Sequence, residues 1–301
     1  MTRRAERVSF PVAEGLVLAG DAWGAADAPP VVLLHGGGQT RHAWGGTAAA
    51  LADAGWRAIA LDQRGHGDSS WAPAGDYRID AFAADLRAVV EQLPRPPAVV
   101  GASLGGLATL IVEGETPGTL AAVVLVYIAP RTQPAGVERI VGFMRARPDG
   151  FATLDEAADA VAAYNHHRPR PRDTAGLKKN LRQGPDGRWR WHWDPQLMDG
   201  PKRIDASRDT VRLDACARAL GCPTLLVRGR QSDLLSEEDA RHFLAIAPAA
   251  QFTDVSGAGH MVAGDRNDRF TRAVVDFLGG APCPSTSERR AASPRPARSR
   301  S

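Results

Sequence analysis

Ala98-Val99-Val100-Gly101-Ala102-Ser103-Leu104-Gly105-Gly106-Leu107-Ala108-Thr109-Leu110-Ile111-Val112 is the stretch on which the reading of this chain turns. Ala98 to Val100 form an unbroken apolar run of strand type, and Gly106 to Val112 can run as a buried helix. Between them lies a Gly-x-Ser-x-Gly turn centred on Ser103. So tight a turn holds its central residue in a strained backbone conformation, and its flanks need residues with little or no side chain. The serine hydroxyl then stands exposed above the end of the strand, where the helix N-terminus favours developing negative charge. Ser103 is therefore a candidate nucleophile. A serine that only caps the helix gives the same five letters, so the rest of the chain has to decide.

On either side the same alternation repeats. Val31-Val32-Leu33-Leu34, Arg57-Ala58-Ile59-Ala60-Leu61, Ala122-Val123-Val124-Leu125-Val126 and Thr224-Leu225-Leu226-Val227 read as strands buried on both faces, and a shorter strand is expected near 251–255. Helical spacing of apolar residues falls at 44–55, 80–93, 237–246 and 266–278. Residues 8–23, with loose alternation around Gly15 and Gly20, predict an antiparallel hairpin at a sheet edge. The fold class is α/β, a doubly wound and mostly parallel sheet. Between 131 and 213 the long apolar runs stop. A helix is expected at 153–165, and Arg188-Trp189-Arg190-Trp191-His192-Trp193 reads as the packed, cation–π-stacked centre of a mainly helical cap over the C-terminal edge of the sheet. The expected organisation is a core of 1–130 and 214–280, a cap at 131–213, and a Pro/Ser/Arg-rich tail at 281–301 with too little apolar surface to order.

Composition narrows the partners. In 301 residues, 44% are apolar and 24% charged, which is ordinary for a globular protein that buries a full core. The net charge of +3 is uneven: the tail carries five arginines against Glu288, which leaves the remainder at −1. That balance gives no case for nucleic acid as a partner. Three cysteines, Cys216, Cys222 and Cys283, make no disulfide framework, and no Cys or His spacing indicates a metal site. With neither a signal-peptide core nor a run of spanning length, the chain reads as cytoplasmic, without a membrane partner. Its oligomeric state is left open.

Two further residues stand just past expected strands, Asp233 and His260. In a parallel sheet the C-terminal strand ends share one edge, so loops distant in sequence meet there. A serine needs an imidazole to take its proton, and the imidazole needs a carboxylate to fix its tautomer. The chain order serine, acid, histidine suits that set.

Taken together, the turn at Ser103, His35-Gly36-Gly37-Gly38, Asp62-Gln63-Arg64-Gly65-His66-Gly67-Asp68-Ser69, Gly229-Arg230-Gln231-Ser232-Asp233 and Gly257-Ala258-Gly259-His260 resemble the α/β-hydrolase superfamily. The resemblance spans 8–130 and 214–279, and is strongest to the branch with small esterases, lactonases, cofactor-free haloperoxidases, carbon–carbon bond hydrolases and epoxide hydrolases. It implies Ser103 as nucleophile, His260 as general base and then acid, and Asp233 as the orienting carboxylate. It also implies an oxyanion hole made by the Leu104 N–H and a second N–H, that of Gly37, with Gly38 an alternative. His35 and His66 hold structural positions in such relatives, and Asp62 fits the acid role less well than Asp233. His166, His167 and His192 fall in the cap, as polar residues. An aspartate occupies the elbow in dehalogenases and epoxide hydrolases of this fold. Ser103 stands there instead, and Tyr164 is the cap's one tyrosine for activating an epoxide.

The resulting expectation is a serine hydrolase for a small carboxylic ester or lactone, with a small molecule as its partner and no cofactor. Perhydrolysis or carbon–carbon bond hydrolysis by the same residues is the alternative, and a non-catalytic ligand receptor is a third reading. The basic run Arg168, Arg170, Arg172, Lys178, Lys179 and Arg182 reads first as a solvated face, and second as a contact for an anionic substrate group.

Overall fold

A computed structural model describes residues 5–164, 170, 173–204, 209–229, 232–255 and 268–280. In chain order the strands are β1 (Glu6–Pro11), β2 (Val17–Trp23), β3 (Pro30–Leu34), β4 (Arg57–Leu61), β5 (Ala98–Ala102), β6 (Ala122–Val126), β7 (Leu181–Gln183), β8 (Trp189–Trp191), β9 (Thr224–Gly229) and β10 (Gln251–Val255). Eight of them form one sheet in the order β1-β2-β4-β3-β5-β6-β9-β10. All its pairings from β4 to β10 are parallel, and the β1–β2 hairpin joins β4 antiparallel at one edge. The expected edge hairpin and buried strands are thus in place.

Alternation along the strands sorts their side chains onto two faces. Val32, Leu34, Val99, Val123 and Leu125 join one apolar layer. Val31, Leu33, Val100, Val124 and Val126 join the other. The first layer is completed by α2 (Ile79–Glu91), α3 (Leu104–Glu115), α7 (Thr210–Arg218) and α8 (Glu237–Ile246), through Leu86, Ile111, Leu213 and Phe243. The second is completed by α1 (Gly45–Asp53) and α9 (Asp268–Gly280), through Leu51, Phe270 and Val274. Each such aliphatic side chain, fully withdrawn from water, contributes about 1.5–3 kcal/mol. This explains why the strands read as unbroken apolar runs.

The intervening segment contributes α4 (Pro134–Arg145), α5 (Leu154–Tyr164), the β7–β8 hairpin and the short α6 (Gln196–Asp199). Two of its features depart from the sequence expectation. The Trp/Arg stretch is partly a β-strand, and its rings pack on each other rather than under arginines: Trp191 stacks on Trp193 at 5.0 Å and meets Phe151 edge-on at 5.1 Å. The arginine–ring contacts among the described residues fall elsewhere, Arg139 on Tyr164 and Arg228 on Phe252. In addition, Leu213 of α7 packs in the sheet layer one position before the expected boundary at 214. The Cys283 and tail expectations lie outside the described residues.

Candidate active site

Residues following the strands meet at the sheet's C-terminal edge because the pairing register aligns their ends. Leu34 pairs with Gly101, and Ala102 with Val126. His35, Ser103 and Tyr127 therefore leave neighbouring strands side by side. Ser103 has φ 47° and ψ −110°, between the last residue of β5 and the first of α3. Its N–H donates to the Val126 carbonyl at 3.0 Å, and the Gly105 N–H donates to the His35 carbonyl at 3.3 Å. The flanking glycines are steric necessities. A Cβ on Gly101 would lie 2.6 Å from the Gly105 carbonyl oxygen, and one on Gly105 would lie 2.5 Å from Leu34 Cβ. Strand, turn and helix approach too closely for any side chain.

The loop after β3 lies over the serine. A Cβ on Gly36 would sit 3.3 Å from Ser103 Cβ. Within that loop, the Gly36 N–H donates to Gln39 Oε1 at 3.1 Å and the Gly38 N–H to His66 Nε2 at 3.2 Å. Gly37 lines the Ser103 cavity, and its N–H has no acceptor among the described residues. Leu104, at the first position of α3, likewise spends no N–H within the helix. Of the two glycines left open by the sequence, Gly38 is the one whose N–H is taken.

Three buried histidines brace this loop. His35 donates from Nδ1 to the Gly36 carbonyl at 2.8 Å and accepts the Gln63 N–H on Nε2 at 3.0 Å. His66 donates from Nδ1 to the Arg64 carbonyl at 2.9 Å, which leaves Nε2 to accept from Gly38. His192, which follows β8, accepts the Gly67 N–H on Nδ1 at 2.7 Å. The rings of His35 and His66 lie 4.9 Å apart, and those of His66 and His192 5.9 Å. Burial lowers all three pKa values, that of His66 well below the usual range and that of His192 to about 3. With both ring nitrogens of His35 and His66 committed, these are structural groups.

Asp62 is equally committed. It accepts the Arg41 N–H at 2.6 Å and the Asp68 N–H at 2.9 Å, and it pairs with the Arg41 guanidinium.

Asp233 lies in the loop between β9 and α8, and its neighbour Leu234 lines a cavity with Ser103, Gly37 and Leu104. Its Oδ2 stands 2.8 Å from Arg139 Nη1, and the Arg139 guanidinium lies 5.1 Å above the Tyr164 ring. Burial raises the Tyr164 pKa. Helix α4 reaches the loop because Gly136 lets it press on the Asp233 carbonyl, and the Gln133 N–H donates to the Leu234 carbonyl at 2.9 Å. The structure thus gathers Ser103, Leu104 and Gly37 around one cleft with Asp233 at its border. His260, His166 and His167 lie outside the described residues.

The cleft has two lobes, of about 60 and 80 Å3, which share Ser103, Gly37, Ile140 and Met144. The first lobe is lined in addition by Gln39, Tyr127 and Tyr164; the second is apolar, with Leu107, Val137, Val141 and Leu234. Most of the roof is α4, which the sequence reading had not assigned as a helix. Its signal was present: Pro134 at the first turn, then Val137, Ile140, Val141 and Met144 at helical spacing.

A model of the alpha/beta hydrolase fold matches residues 29–266. The chain is 29% identical over 272 residues to an esterase of Mycobacterium tuberculosis, covering 86% of this chain and 84% of that one. It is 31% identical over 231 residues to a non-heme chloroperoxidase of Burkholderia pyrrocinia, covering 72% and 80%. A crystal structure of an alpha/beta hydrolase from Novosphingobium aromaticivorans superposes with a TM-score of 0.76 at 27% identity, over 91% of this chain and 98% of that one. The chain belongs to the α/β-hydrolase family. It is a hydrolase of that fold. No helix among the described residues is long and apolar enough to cross a membrane.

Proposed function

We propose that this hydrolase cleaves small carboxylic esters or lactones through an acyl-enzyme on Ser103, without a cofactor. The observation that carries the reading is the strained Ser103 beside the unspent Gly37 N–H in a small apolar cleft. A non-glycine residue at φ 47° costs energy that a mere helix cap has no need of.

In this reading Ser103 Oγ attacks the ester carbonyl carbon while His260 takes the hydroxyl proton. The carbonyl oxygen becomes an oxyanion held by the N–H groups of Leu104 and Gly37. The carbon–oxygen bond to the alcohol then breaks, and the alcohol leaves with the proton from His260. Water repeats the sequence on the acyl-enzyme and releases the acid. Asp233 orients His260, and Arg139 holds Asp233 from the cap side. The lobes suit an acyl group of few carbons.

The test is turnover of p-nitrophenyl esters from acetate to decanoate, with Ser103→Ala as control. The reading expects an optimum at acetate to butyrate and loss of turnover in the variant, by a factor on the order of 10⁶. Folded protein without turnover on any ester would sink it. The chloroperoxidase relative supports a second reaction at the same residues, in which hydrogen peroxide replaces water and a peracid leaves. Peroxide-dependent bromination that needs Ser103 would establish that activity.

A further inference from the structure

The largest of the cavities described here is not the one at Ser103. A groove of about 230 Å3 opens between the segment Arg145–Pro148, the β7–β8 hairpin and Trp71. It adjoins the catalytic cleft at Met144, which lines both. Trp193 also comes close to the loop after β3. It lines the groove, while a Cβ on Gly38 would meet its ring at 3.4 Å.

The lining combines aromatic surface with positive charge. Trp71 is 50% exposed, and Trp191 and Trp193, stacked on each other with 10° between their planes, border the groove behind it. The Trp191 Nε1–H is a buried donor without an acceptor among the described residues. Four guanidiniums line the groove, and three already have carboxylates. Arg145 pairs with Asp199 at 3.1 Å, Arg182 with Asp68 at 2.6 Å and Arg190 with Asp186 at 2.6 Å. Arg147 has no carboxylate within salt-bridge distance among the described residues. Its backbone is also strained, with φ 61° directly before Pro148. Arginine in a left-handed backbone conformation carries strain of a kind that clusters at binding sites.

We propose that this groove binds a small monoanion with a flat apolar body, its ring on the tryptophans and its charge on Arg147. One uncompensated guanidinium suits one negative charge. The volume exceeds the roughly 150 Å3 at which an apolar cavity already accepts benzene, so an aromatic ring and a short chain have room. Among the described members of the basic run noted in the sequence, Arg170 is held by Asp155 and Asp159, Lys178 and Lys179 are exposed, and Arg182 is the one that reaches the groove. The anion is either the distal end of the substrate or a separate small ligand. Only the former rests on the esterase reading.

The probe is 4-phenylbutyrate, titrated calorimetrically into the full chain against uncharged 4-phenylbutan-1-ol. The acid is expected to bind at least ten-fold tighter. Arg147→Gly should reduce it to the level of the alcohol without lowering Tm, because glycine relieves the backbone. Arg190→Gln, which leaves that backbone untouched, should weaken the acid several-fold. Equal binding of acid and alcohol, or binding unchanged in Arg147→Gly, overturns the site. The second outcome includes an acid that sits only at Ser103. Inhibition of p-nitrophenyl butyrate hydrolysis then separates the sources. Competitive inhibition lost in Arg147→Gly assigns the groove to the substrate's distal end, and a change in kcat at unchanged KM assigns it to a separate ligand. If no ester is turned over, the titration still decides the site while the esterase reading fails.

Discussion

At the residue scale, Ser103 and the N–H groups around it carry most of the account. A backbone at φ 47° costs a serine about 1–3 kcal/mol, and glycine largely escapes that cost. Ser103→Gly should therefore raise unfolding stability by about 1 kcal/mol while abolishing turnover, as read by urea denaturation beside an ester assay. An unchanged or lower midpoint would mean that the turn stores no strain. The position of Ser103 was legible because a five-residue pattern between a strand and a helix is local. The division of labour between Gly37 and Gly38 was not. It depends on His66 accepting from Gly38 across 28 positions, and no local pattern encodes that contact. Arg139 was illegible for the same reason, since its meaning comes from Asp233, far along the chain.

At the element scale, the strands were legible because burial on both faces leaves unbroken apolar runs. Helix α8 also announced itself, with Ser236 and Asp239 forming a capping box at its start. Helix α4 was harder to see, because Gly136, Glu138, Arg139 and Gly142 interrupt its stripe. Its packing still gives it a function: Met144 lines both lobes of the cleft and the neighbouring groove. Met144→Ala should move the preferred acyl chain from two to four carbons towards longer esters, with kcat/KM for decanoate rising about ten-fold or more. The same truncation of a buried methionine should cost about 2–5 kcal/mol in stability. A chain-length profile that stays unchanged would place the acyl group elsewhere. The Arg/Trp groove is likewise beyond sequence reading, because its arginines come from the end of α4, the loop after it and the β7–β8 hairpin.

At the scale of the whole molecule, the sheet and the segment between β6 and α7 meet over a polar, buried seam. His192 of the intervening segment accepts from Gly67, and Tyr77 donates to Asp194 at 2.5 Å. Burial lowers the pKa of His35, His66 and His192 in the folded chain, whereas the unfolded chain titrates near 6.5. The unfolded state therefore binds protons that the folded state refuses. The stability gained from neutral imidazoles is fully present above about pH 7. It is lost as pH falls below 6.5, at up to about 1.4 kcal/mol per pH unit for each histidine, and for His192 the loss continues towards pH 3. Urea midpoints measured from pH 7.5 to 5 should fall steeply, and less so in His192→Asn. A flat profile would mean that these rings are charged in the fold or exposed.

The central claim, that Ser103 is an activated nucleophile, is met most directly by a fluorophosphonate probe and peptide mapping of the adduct by mass spectrometry. The account predicts one adduct, on the peptide that contains Ser103, formed within minutes and absent from Ser103→Ala. Folded protein that stays unlabelled, or an adduct on another residue that survives in Ser103→Ala, would contradict it.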